Sequence, residues 1–165
     1  VADRRVAVLG AGGAARAVVA GLADLGATVV VYNRTRAKAD ALAAAFADAK
    51  GKVVAASMDK LCDSCCHAIV NCTPLGMHPH ADASPIDPAD APWGRQRQGE
   101  AVVVFDTIYN PAKTKLLRDA AAAGCNTVSG VEMFVRQAVR QFELWTQVEA
   151  PLDVFRGVVL EALTG

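Results

Sequence analysis

The stretch Arg5-Val-Ala-Val-Leu-Gly-Ala-Gly-Gly-Ala-Ala-Arg16 decides the fold. The apolar run Val6 to Leu9 reads as a buried strand. It breaks into Gly10-Ala11-Gly12-Gly13 and then into an alanine-rich helical pattern beginning at Ala14. Strand, tight turn and helix in this order form the unit that receives a dinucleotide pyrophosphate. Gly10 allows the sharp turn, and Gly12 lets the backbone approach the phosphates. Ala15 stands where a small third residue lets helix and strand pack closely. The helix start then offers unpaired N–H groups and the positive end of its dipole to an anion. A glycine turn alone is a weak signature, because such turns also occur for structural reasons. Its context strengthens it: Ala14, Ala17, Val18, Gly21, Leu22 and Leu25 recur at helical spacing, Gly26 stops the helix, and the β-branched run Thr28–Tyr32 follows.

At the end of that second strand an NAD-binding domain places a carboxylate on the ribose 2′-hydroxyl. Here the place holds Asn33-Arg34-Thr35-Arg36-Ala37-Lys38. A carboxylate would repel a 2′-phosphate, whereas Arg34 can fork onto it and lie flat against adenine. Thr35 is positioned to cap the next helix, which runs through Ala39, Leu42, Ala43 and Phe46. Cations at a helix start oppose its dipole, which disfavours chance placement. The expected coenzyme is therefore NADP.

Farther along, Lys52–Ala56, Ala68–Asn71, Val102–Phe105 and Asn126–Val128 read as strands, with a helix from Thr114 to a stop at Gly124. Residues 78–99 form a long loop rich in Pro, Asp and Ala with room for a turn of helix, and Trp93 in it reads as a packing anchor. Strands alternating with helices predict an α/β Rossmann-type doubly wound parallel sheet of order 3-2-1-4-5-6 followed by C-terminal helices. In such sheets ligands sit beyond the carboxyl ends of the strands. The segments at Gly10, Asn33, Thr73 and Thr107 all fall there. The whole chain reads as one domain, with a βα core over 1–128 and a helical segment over 129–165.

In that last segment Phe134, Ala138, Phe142 and Trp145 make one stripe at helical spacing, expected to be core. Gly130, Met133 and Gln137 make another: glycine permits close approach of a flat ring, Met offers a soft contact, and Gln can hydrogen-bond a polyhydroxylated substrate. A final helix over 151–163 shows Leu152, Phe155, Val159 and Leu163 on one side.

With 165 residues, 53% of them hydrophobic, the chain has enough material for a real core. Its zero formal charge and lack of a basic stripe argue against nucleic acid or an anionic membrane as a partner. No apolar run is long enough to cross a bilayer, and the chain starts almost on its first strand, so a cytoplasmic location is expected. Cys62, Cys65, Cys66 and Cys72 cluster with His67, but no second spaced pair completes a ligand set, and no metal site is expected. His78 and His80 read as surface residues of the Pro-rich loop.

Beyond these separate readings, the Gly10-Ala-Gly-Gly-Ala14 turn, Asn33-Arg-Thr35, Asn71-Cys-Thr-Pro-Leu-Gly-Met77, Asp106-Thr-Ile-Tyr-Asn-Pro111 with Thr114, and Gly130-Val-Glu-Met-Phe-Val-Arg-Gln137 stand in the order seen in shikimate dehydrogenases. The chain resembles that family over nearly its whole length. Glu132-Met133-Phe134 and the Ala150-Pro151 step resemble members fused to a dehydroquinase. The resemblance implies NADPH-dependent, reversible reduction of 3-dehydroshikimate to shikimate in aromatic amino acid biosynthesis. It implies NADP contacts from Gly10, Ala11, Gly12, Gly13, Ala14, Asn33, Arg34, Thr35, Lys38, Thr73, Thr107 and Gly130, with Met133 bordering the nicotinamide and Tyr109 and Gln137 touching substrate. Lys38 takes the place of a second phosphate-binding arginine. In the family a catalytic Lys–Asp pair belongs to a preceding substrate domain of about 100 residues. That domain is expected to be absent here: Lys52, Asp59, Lys60 and Asp63 do not sit in the catalytic context. The isolated chain is thus expected to bind NADP without catalysis, and to self-associate through the uncovered Phe155 and Val159. Quinate dehydrogenase, the NADP domain of glutamyl-tRNA reductase and a non-catalytic nucleotide-sensing regulator are the alternatives. The Tyr109-Asn-Pro and Met133…Gln137 motifs argue against the second, and retention of Tyr109 and Gln137 favours an enzyme over the third.

Overall fold

Short runs of β-branched residues flanked by glycine and alanine-rich helices fold here into a single parallel sheet. The computed structural model describes residues 1–63, 66–94 and 99–164. Six strands, β1 (Arg5–Leu9), β2 (Thr28–Tyr32), β3 (Val53–Ala56), β4 (Ala68–Asn71), β5 (Val103–Asp106) and β6 (Asn126–Val128), pair all in parallel in the order β3-β2-β1-β4-β5-β6. The expected doubly wound topology is therefore the observed one.

Alternation along each strand sorts side chains to two faces. Val6, Val8, Val29, Val31 and Val70 meet Ala15 and Val19 of helix α1 (Gly13–Asp24) and Ala39 and Leu42 of α2 (Arg36–Ala44). Ala7, Leu9, Val30, Tyr32, Ile69 and Val104 meet Leu116, Leu117 and Ala120 of α3 (Lys115–Ala122), with Ile86 and Trp93 closing the same cluster. Trp93 is thus the packing anchor expected. It sits in a loop that carries two short 3-10 turns, Pro88–Asp90 and Pro92–Gly94.

Two strands differ in their bounds from the sequence reading, α2 stops at Ala44 short of the expected Phe46, the last helix runs over 152–164 rather than 151–163, and one helix face is rotated. β3 begins at Val53 rather than Lys52, and β5 runs one residue later than expected. The shift in β5 brings Asp106 into the ladder opposite Asn71. Helix α1 buries Ala15, Val19 and Ala23, whereas Ala14, Ala17, Gly21 and Leu25 are exposed. Alanine on every side of the helix leaves no apolar stripe to mark a face, so close approach to the sheet decides instead.

Helix α4 (Gly130–Thr146) starts against the Thr107–Ile108 backbone just past the end of β5. Its first turns bury Val131 and Val135, and farther along its neighbour is α5 (Leu152–Thr164). Phe142 and Phe155 meet edge to face at 5.6 Å across this pair. Trp145, expected in the core stripe, is instead 79% exposed, because the α4–α5 seam does not reach it. Phe155 and Val159 are half-buried rather than uncovered, since α4 already packs on them; Val154 and Val158 form the open face. A salt link that the sequence did not suggest fastens the helices. Glu132 on α4 accepts two hydrogen bonds from the Arg156 guanidinium on α5, at 3.0 and 3.1 Å. That pairing holds the Glu132 carboxyl below its ordinary pKa.

These placements separate core from surface sharply. Ile69→Ala, in the middle of the buried sheet, should lower unfolding stability by about 2–5 kcal/mol, and Trp145→Ser should change it by less than about 0.5 kcal/mol, both read by urea denaturation.

Candidate nucleotide-binding site

A Rossmann-type sheet gathers its chemistry where strands end and helices begin. Gly10 adopts a φ of 103°, a left-handed conformation open to glycine at little cost. A Cβ there would also press on the Cys72 carbonyl at 3.1 Å and on the Thr73 methyl at 3.3 Å, so the turn lies directly against the end of β4. At Gly12 and Gly13 a Cβ would meet no protein atom within 4 Å. Packing against the rest of the protein therefore does not require glycine at those two positions, and the turn is open on that side. Gly12 is the N-cap of α1 with no side-chain hydrogen bond, and no acidic residue lies in the first turn. The first amides of α1 are free of a capping side chain and suit an anion.

Past the end of β2 lies a cavity of about 250 Å³ lined by Leu9, Tyr32, Asn33, Arg34, Met58, Thr73, Pro74, Leu75 and Pro85. Thr35 is the N-cap of α2 by position, yet its side chain makes no capping bond. Asn33 Nδ2 donates to the Thr35 carbonyl at 2.8 Å, which leaves the Asn33 carboxamide oxygen turned to other donors. The three cations of this stretch differ. Arg36 is tied to Asp40 at 2.9 Å, whereas Arg34 and Lys38 are exposed and have no acidic partner among the described residues.

A second cavity of about 400 Å³ adjoins the first through Thr73 and Pro74, and is lined by Cys72, Met77, His78, Thr107, Ile108, Tyr109 and Asn110. His78 is exposed as expected, yet it also contributes to this lining. Beneath it, three fully buried polar side chains tie β4 to β5. Asp106 accepts hydrogen bonds from Asn71 Nδ2 at 3.0 Å, the Ile108 amide at 3.1 Å and Thr114 Oγ1 at 2.7 Å. The Asn71 carboxamide oxygen accepts from the Thr73 amide and hydroxyl at 2.9 and 2.8 Å, and its backbone carbonyl accepts from the Thr107 hydroxyl at 2.9 Å. Both threonine hydroxyl protons are thereby committed; the Thr73 oxygen also accepts from the Leu75 amide at 3.3 Å, and each hydroxyl keeps a lone pair for a donor. Burial pushes the Asp106 carboxyl above its ordinary pKa, and the bonds from Thr114, Ile108 and Asn71 pull it part of the way back. Burial, and then the Asp106 charge, push the Cys72 thiol up to about 12.

The expected residues are only partly brought together. Asn33, Arg34, Thr73, Thr107 and Tyr109 line the two cavities, and the glycine turn abuts them. Gly130 has a different reason from the one expected. It is buried, and a Cβ there would collide with the Ile108 carbonyl, so it allows α4 to start against the protein backbone. Met133 and Gln137 line neither cavity. Tyr109, 41% exposed, stacks on Phe134 of α4 at 4.4 Å, so α4 begins beside the second cavity all the same. Lys60 and Asp59 form a solvated pair 3.8 Å apart, and neither they nor Lys52 and Asp63 line the cavities. Among the described residues no group of His, Cys, Asp and Glu is placed to hold a metal ion, and Cys65 lies outside those residues. The sequence reading gave no role to Asn71 and Asp106. A single polar residue closing each of two adjacent apolar strands was the available signal.

Against known proteins, residues 1–73 match the shikimate/quinate 5-dehydrogenase family and residues 130–160 match the shikimate 5′-dehydrogenase C-terminal domain. The chain belongs to the shikimate dehydrogenase family. The NADP(+) shikimate dehydrogenase of Methanosarcina mazei is 43% identical over 163 residues, covering 96% of this chain and 56% of that protein. The crystal structure of the Thermus thermophilus shikimate 5-dehydrogenase in complex with NADP(H) and shikimate superposes with a TM-score of 0.82 at 32% identity, covering 98% of this chain and 56% of that one. The quinate dehydrogenase of Corynebacterium glutamicum in complex with NAD gives a TM-score of 0.82 at 31% identity, covering 96% and 55%. The chain thus spans about half the length of these shikimate dehydrogenase family members.

The Cys72 thiol makes the buried electrostatics measurable. With its pKa near 12 rather than the ordinary 9.0, its thiolate fraction at pH 8 is about a thousandfold smaller than that of an ordinary thiol. Iodoacetamide labelling of Cys72, followed by peptide mass spectrometry, should be correspondingly slow and should still be rising steeply with pH above 9.

Proposed function

We propose that residues 1–165 are the NADP-binding domain of a shikimate dehydrogenase, with a βα core over 1–128 and a helical segment over 129–165, acting in the reversible NADPH-dependent reduction of 3-dehydroshikimate to shikimate. One observation carries the choice of coenzyme. Arg34 lines the cavity at the end of β2 and, like the exposed Lys38 on α2, has no acidic partner among the described residues, in the place where a carboxylate would select NAD.

When bound, the coenzyme supplies the hydride. This chain's residues bind and orient it. The first-turn amides of α1, with Gly10, Ala11, Gly12, Gly13 and Ala14, take the pyrophosphate. Arg34 and Lys38, assisted by Asn33 and Thr35, take the 2′-phosphate. Thr73 and Thr107, whose hydroxyl protons are engaged by Asn71, offer lone pairs to the nicotinamide carboxamide. Gly130 lets α4 start close to that end, with Met133 beside it, and Tyr109 and Gln137 face the substrate. Hydride transfer also needs a proton donor held at the carbonyl. The reading places that donor on a substrate domain outside this chain. Leu144 and Trp145 of α4, Val148 of the link between the helices, and Val154 and Val158 of α5 are exposed apolar side chains suited to packing on such a domain. The free cysteines Cys62, Cys66, Cys72 and Cys125 support a cytoplasmic protein, and among the described residues no helix is long and apolar enough to cross a membrane.

Calorimetry with NADPH and NADH tests the coenzyme. Arg34→Ala should weaken NADPH by about 10- to 1000-fold, as expected for one or two lost charged hydrogen bonds, and weaken NADH far less, since NADH loses only the adenine contact. Equal affinity of the unaltered chain for the two coenzymes would overturn the reading. The isolated chain should further bind NADPH yet not turn over shikimate with NADP, and should sediment as a reversibly self-associating species. Robust turnover, or a strict monomer at high concentration, would contradict the corresponding half of that expectation.

A further inference from the structure

The buried trio of Asn71, Asp106 and Thr114 contributes no side chain to either cavity, yet it holds residues that do. We propose that Asp106 is a positioning residue for the coenzyme: it fixes the gap between the two walls of the nicotinamide-side cavity. One wall is held through Asn71. Asn71 Nδ2 donates to Asp106 Oδ1, which orients the Asn71 carboxamide so that its oxygen receives the amide and hydroxyl of Thr73. The other wall is held directly, because the same Oδ1 receives the Ile108 amide between Thr107 and Tyr109. Thr114 Oγ1 donates to Oδ2 while accepting from the Leu117 amide, so the start of α3 anchors the carboxylate itself.

All three side chains are fully buried, so water cannot substitute for a lost partner. A carboxylate alone offers acceptors on both oxygens to three donors at once. An amide in its place would turn a donor toward Thr114 or toward the Asn71–Ile108 pair, and at least one of these bonds would be lost. The adenosine end borders this tie only through residues 73–75, and its own polar groups, Asn33 and Arg34, are held by β2 and the start of α2, so it is affected much less.

This inference rests on the coenzyme reading above, and its test separates the two. NADPH and adenosine 2′,5′-bisphosphate, which carries only the adenosine end, are titrated calorimetrically into the unaltered chain, Asp106→Asn and Thr114→Val. Asp106→Asn should weaken NADPH by about tenfold or more and the bisphosphate by less than about twofold. Thr114→Val removes one donor to the carboxylate with little change of shape, and should show the same selectivity at smaller size; it carries the test if Asp106→Asn does not fold. Equal weakening of both ligands would mean that Asp106 serves the fold alone, and would overturn the proposal, as would no weakening of either. An unaltered chain that binds neither ligand would overturn the coenzyme reading and this inference with it.

Discussion

A carboxylate and a carboxamide meet in the dry interior where β4 and β5 end, and the arrangement of the site depends on that meeting. A parallel sheet has no hairpins at this end, so the loops after adjacent strands share no covalent turn. The hydrogen bonds among Asn71, Asp106 and Thr114 supply the missing connection. Burial of Asp106 raises its pKa, which is the cost of placing an acid there, and three donors offset part of that cost. An apolar pair would pack as well, but it would leave the Thr73 and Ile108 amides without acceptors.

Around this tie the rest of the site follows from close packing. Gly10 lets the first turn sit on the Cys72 carbonyl, and Gly130 lets α4 start on the Ile108 carbonyl. Both glycines serve backbone approach within the protein. At Gly12 and Gly13 a side chain would meet open space, so no such approach within the protein requires them. The same residue type is therefore required by packing at one position and not at its neighbours, and geometry rather than sequence tells them apart.

The strand pattern was legible in the chain, because β-branched runs such as Thr28–Tyr32 alternate cleanly between faces. Strand order followed from the alternation of strands with helices that marks a doubly wound sheet. The basic cluster after β2 was legible too, since cations at a helix start are conspicuous. Helix faces were not: α1 is apolar almost all round, and its buried side is chosen by fit against the sheet. Trp145 was misread because a stripe at helical spacing carries no mark of where the neighbouring helix ends. Asn71 and Asp106 went without a role because their partnership depends on strand register, which no local pattern encodes.

The thiol of Cys72 stands on the cavity wall, and its surroundings keep it protonated at neutral pH. Peroxide attacks the thiolate form, so this sulfur should be a poor sensor of oxidative stress. Its neighbours would have to loosen before it could form a sulfenic acid. The domain can therefore keep a cysteine on a cavity wall without making the chemistry of that wall depend on the oxidant level around it.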